Sequence, residues 1–152
     1  MLYRPAEASF AKGIDALTNG RGREALALFE AAIELDKKNG QGHPQPRYFS
    51  FYGLCLAFER KKLSAGIRCC REAMSREFYN PDLCCNLGRL LFLGGRRGEA
   101  YQVLIKGYRL QPNHAGIKDA LEKMGRRRQP IVKFLGRNNP LNVMLGKMAG
   151  PT

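Results

Sequence analysis

Apolar residues recur at helical spacing along most of this 152-residue chain. Phe10, Ile14 and Leu17 fall at i, i+4, i+7, and Leu26, Phe29 and Ile33 repeat that spacing after a polar break. Side chains so spaced share one face of a 3.6-residue helix, so each stretch predicts an amphipathic helix. Phe49, Tyr52 and Leu56, then Ile67, Cys70 and Met74, continue the series. The most apolar stretch, Leu83 to Leu93, predicts the fifth helix, and a sixth follows it. Ile117, Leu121 and Met124 predict a seventh, from about His114 to Met124, ended by Gly125. β-branched residues are few and never alternate, so no strand competes and the chain reads as all-α.

The polar breaks are turns. Thr18-Asn19-Gly20-Arg21-Gly22 offers an Asn-Gly pair able to take positive φ and stop a helix. Arg60-Lys61-Lys62 is the second turn, with Ser64 as the expected cap of the helix after it. Gly94-Gly95-Arg96-Arg97-Gly98 is the third. Asn80-Pro81 places a capping side chain just before a proline at the first helical position. The Gly/Pro/Gln-rich stretch from Lys38 to Pro46 reads as a loop inserted between units.

Small residues then expose a repeat. Gly13 and Ala25, Gly53 and Ala65, and Gly88 and Ala100 each lie twelve apart, in units offset by 40 and 35 residues. A period of this size means stacked supersecondary units, each too small to bury its apolar face alone. The third unit, NLGRLLFLGGRRGEAYQVLIKGYRLQP, resembles a tetratricopeptide repeat through Leu87-Gly88, Leu91, Ala100, Leu104, Gly107 and Pro112. The first matches at Gly13, Ala25, Phe29 and Ala32 but has Lys37 where proline is usual. The second matches at Tyr52-Gly53 and Ala65, then slips by one before Cys70 and Ala73.

The resemblance implies three repeats at about 6–39, 46–79 and 81–113, a capping helix at 114–125, and an extension at 126–152. It implies helical hairpins stacked in a right-handed superhelix, with a concave groove lined by the first helix of each. The groove residues would be Phe10 and Ile14, then Arg47, Ser50 and Leu54, then Asn86, Arg89 and Phe92. Family members that clamp acidic chaperone tails use lysine, asparagine and arginine at positions held here by Phe10, Ile14, Phe51, Asp82 and Asn86. Only Asn86 suits that task. The expected ligand is therefore a peptide or partner helix with apolar side chains and an acidic one for Arg47 or Arg89.

Charge adds a second reading. The formal net charge is +13. Residues 1–46 are balanced, 47–112 carry seven more basic than acidic side chains, and 113–152 carry six more. Such a gradient draws anions to the C-terminal half, nucleic acid among them. Against nucleic acid stands the lack of aromatics visibly interleaved with the basic residues. A chaperone for secreted proteins is a third reading, although those relatives tend to be acidic.

Catalytic and cofactor chemistry find no foothold in the sequence. His43 and His114 lack partners at ligand spacing, and no glycine-rich loop follows a strand. Cys55, Cys69, Cys70, Cys84 and Cys85 lie inside apolar stretches, as buried thiols do. No cofactor, metal or enzymatic activity is expected. No run of about 18 apolar residues could span a membrane, and the polar N-terminus reads as cytoplasmic. In the extension, Arg126-Arg127-Arg128 precede the apolar Ile131–Leu135. Leu141, Met144, Leu145 and Met148 then predict a short helix. A helix of that length must dock to persist. Its expected place is the solenoid end, as a cap; the alternatives are the groove, a second copy as a homodimer, or a partner or membrane surface.

Overall fold

The computed structural model describes residues 4–39 and 42–126. Seven helices follow in order: α1 (Pro5–Thr18), α2 (Gly22–Lys38), α3 (Pro46–Arg60), α4 (Leu63–Arg76), α5 (Pro81–Leu93), α6 (Arg97–Leu110) and α7 (Ala115–Arg126). The pairs α1/α2, α3/α4 and α5/α6 are hairpins, and each stacks on the next. α7 covers the last hairpin by packing on α5 and α6. The extension beyond Arg126 lies outside the described residues, as does the placement expected for its apolar segments.

Glycine contacts explain how the hairpins close. A Cβ on Gly13 would sit 2.5 Å from the Phe29 ring, and one on Gly88 would sit 2.5 Å from Leu104. The first helix thus carries a notch that a bulky residue of the second helix fills. In the middle hairpin the Gly53 notch meets only the small side chains of Cys69, at 2.7 Å, and Cys70, at 3.4 Å, and the two backbones themselves approach. A Cβ on Gly66 would lie 2.4 Å from the Gly53 carbonyl oxygen.

This corrects the repeat register. The fourth, eighth and eleventh residues of the second helices are Ala25, Phe29 and Ala32, then Gly66, Cys70 and Ala73, then Ala100, Leu104 and Gly107, all buried. Gly66, not Ala65, is the small residue of the middle unit. The cause is the turn. The residue two before each second helix is left-handed: Gly20 at φ 74°, Lys61 at φ 57° and Gly95 at φ 77°. Lys61 comes one residue later after its glycine than the other two, so everything downstream shifts by one. Ser64 accordingly sits inside the first turn of α4, and Lys62 precedes that helix. Asn80 caps as expected, its side-chain oxygen accepting from the Asp82 amide at 2.9 Å.

The apolar interior divides into two clusters. Around α1–α3, Phe10 packs on Phe29, Tyr48 and Phe51 with ring centroids 5.0–5.5 Å away. Around α3–α7, Leu54, Leu90, Leu91, Leu104 and Ile117 form the second.

Candidate functional site

The first helices α1, α3 and α5 occupy equivalent places in the three hairpins, so residues at one register position share one face. That face is largely closed at its centre. Phe10 and Leu54 are buried, and so are Ser50 and Asn86. The Asn86 amide donates to the Ser50 hydroxyl at 3.1 Å, and the Cys70 thiol donates to the Ser50 carbonyl at 3.3 Å. These four residues join neighbouring repeats and offer a ligand almost no surface. For Ser50, Leu54 and Asn86 the cause is the stacking of α3 directly against α5, which turns inward positions that periodicity alone assigns to a groove, whereas Phe10 is covered by Phe29, Tyr48 and Phe51.

Arg47 is half-buried and already engaged. Its guanidinium donates to Glu7 and, through Nε, to Gln45 at 2.8 Å, and lies 5.0 Å from the centroid of the Phe10 ring. Tyr48 also donates to Glu7, at 2.8 Å. Burial, followed by that bond to a carboxylate, pushes the Tyr48 phenol up to about 12. The Arg47–Glu7 contact ties α3 to α1 and leaves Arg47 little capacity for a ligand.

Arg89 is different. It is exposed and has no ion pair among the described residues. It adjoins Cys85, which also feels Asp82 and Asp119. Asp82 is held by His114 at 2.7 Å, while the His114 Nδ1 accepts the Ile117 amide at 3.2 Å. Since Nδ1 is the acceptor, Nε2 carries the proton donated to Asp82. Histidine 114, unpartnered by sequence spacing, is thus the joint between α5 and the start of α7.

Apolar surface gathers at the C-terminal ends of the first helices. Phe58 and Leu93, each five residues after its repeat glycine, are 40% and 53% exposed. Ile14, Leu17 and Phe92 are half-buried beside them in register. Phe92 lies under the Arg97 guanidinium at 5.4 Å, and Arg97 donates to the Met124 carbonyl at 2.9 Å. Sequence reading named Phe92 and Arg89 for the site but passed over Leu93, whose place beside Phe58 was legible from the glycine count.

The thiols carry no sign of reactivity. Burial raises all five, Cys55 and Cys70 to about 12 and Cys85 to about 11. Half-buried Cys69 should therefore react first with maleimide in the native protein at pH 8. The other four should label at the rate of unfolding, a pattern readable by mass spectrometry. Among the described residues no group of three or more His, Cys, Asp or Glu side chains is placed to hold a metal ion. No helix there is long and apolar enough to cross a membrane.

No family model matches the sequence, and no curated protein matches it. Solved structures do. The TPR domain of Arabidopsis OM64 is 18% identical with a TM-score of 0.63, over 82% of this chain and 97% of that one. The first TPR of Spaghetti, solved bound to the HSP90 peptide SRMEEVD, is 19% identical with a TM-score of 0.61, over 80% and 90%. The Yersinia enterocolitica type III secretion translocator chaperone SycD is 18% identical with a TM-score of 0.59, over 82% and 89%. The chain has the tetratricopeptide-repeat fold.

Proposed function

We propose that the protein is an interaction adaptor that binds a peptide or partner helix on the face of α1, α3 and α5. The observation that carries this reading is the strip of uncovered apolar surface at Phe58 and Leu93, with unpaired Arg89 on the same face. An apolar strip with one free cation suits a segment carrying bulky apolar side chains and a single carboxylate. Ile14, Leu17 and Phe92 extend the strip. The fold supports this reading, since similarly folded Spaghetti holds a peptide and PcrH, 16% identical with a TM-score of 0.59, was solved with the chaperone binding region of PopB.

The acidic chaperone tail is disfavoured as ligand on physical grounds. Phe10 and Asn86 are buried, Phe51 belongs to an aromatic cluster, and Asp82 would repel a carboxylate. Selection of phage-displayed peptides on the full chain should enrich sequences with apolar residues flanking Asp or Glu. Arg89→Glu and Leu93→Ser should each weaken the selected peptides by about tenfold or more, the cost of losing a binding hot spot. Binding by both variants as tight as by the unsubstituted chain would place the peptide elsewhere and end this reading.

A further inference from the structure

The second-helix side of the third hairpin carries a surface that the adaptor reading does not use. Tyr101, the fifth residue of α6, is 54% exposed, whereas its register equivalents Leu26 and Ile67 are buried. Tyr108, the twelfth, is 41% exposed, whereas its equivalent Ile33 is buried. The third repeat thus replaces interior aliphatics with tyrosines that face solvent. Tyr101, Ile105, Lys106, Arg109 and Leu110 line a shallow depression on the outer side of α6. Across from it the Lys106 ammonium lies 5.3 Å from the centroid of Phe78, and Phe78 meets Tyr79 edge-on at 5.4 Å. Both of those rings are more than 60% exposed.

Charge decides what such a face accepts. Lys106 and Arg109 have no ion pair among the described residues, and no carboxylate lines the depression. Glu99, the acidic residue of α6, is held by Arg71 and Arg96. Exposed rings interleaved with free cations are what a single nucleic-acid strand needs, bases stacking on the rings and phosphates meeting the cations. The sequence objection to nucleic acid, the lack of interleaved aromatics, fails in three dimensions. Phe78 and Tyr79 reach the basic face of α6 from a separate loop.

We propose that the outer face of the third hairpin binds single-stranded nucleic acid, with bases stacked on Tyr101, Phe78 and Tyr79 and phosphates on Lys106 and Arg109. Fluorescence anisotropy of the full chain with labelled 12-mers of dT and rU tests it. Binding should appear at 50 mM salt. Two phosphate contacts alone give a slope of about −1.4 in log affinity against log salt. Tyr101→Ala and Phe78→Ala should each weaken binding about fivefold or more, the loss of one stacked base. Tyr101→Phe should retain it, and Lys106→Gln with Arg109→Gln should flatten the salt slope. All of these side chains are exposed, and unchanged thermal melts would confirm folding. Three results would overturn the proposal. They are no binding at 50 mM salt, binding indifferent to the ring substitutions, and ring-dependent binding to vesicles of 30% phosphatidylserine with none to either oligonucleotide.

Discussion

Gly66→Ala should destabilise the protein by about 3 kcal/mol and lower Tm by about 10 °C, an overpacking cost at the upper end of the usual range. The new methyl would meet the Gly53 carbonyl oxygen at 2.4 Å, the Ala57 Cβ at 3.0 Å and Leu90 Cδ1 at 3.2 Å. A backbone oxygen cannot swing aside as a side chain can, so α3 and α4 must separate. Leu90, packed against both, would follow. Helix propensity acts in the opposite direction by about 1 kcal/mol and is outweighed. Gly98→Ala in α6 is the control: a Cβ there meets nothing within 4 Å. It should be neutral or stabilising by about 0.5 kcal/mol. Urea unfolding of both variants checks the pair, and equal midpoints would refute the close-approach account.

Phe29→Ala should cost about 4 kcal/mol, the ordinary loss for a large aromatic residue removed from a core. The Phe29 ring is fully buried and fills the notch over Gly13. It also contacts Phe10 at 5.5 Å and Phe51 at 5.7 Å between ring centroids. Its loss opens a cavity between the first hairpin and the second, where Tyr48 and the Glu7–Arg47 contact hold α3 to α1. Thermal melts should show the first hairpin loosening, and hydrogen exchange should rise in α1 and α2 before α5 and α6. A uniform rise along the chain would mean that the two apolar clusters unfold as one unit.

Much of this molecule was legible in its sequence. The seven helices of the described residues follow from apolar spacing, and two of the three turns within hairpins follow from Gly20 and Gly95. The middle turn lies at Arg60-Lys61-Lys62 as its residues predict, but the small residue after it is Gly66 and not Ala65, because a lysine one residue later holds the left-handed position there. Nothing in the side chain of Lys61 announces a positive φ. The site was less legible. Ser50, Leu54 and Asn86 fall on the right face by register, yet the packing of α3 on α5 buries them, and Phe10 is closed over by Phe29, Tyr48 and Phe51. Arg89 keeps its surface although Gly88 and Leu90 on either side of it are buried, a fact no local pattern encodes.

By itself, then, the sequence determined the local structure and its periodicity. Helical spacing, turn residues and small-residue notches act over a few positions, so each can be read from neighbours along the chain. Only the tertiary structure decided which residues of each face meet solvent, which cations remain unpaired, and how Phe78 comes to stand over Lys106. Those outcomes depend on how closely one helix approaches another. That distance was set in the middle hairpin by two glycine backbones rather than by any side chain.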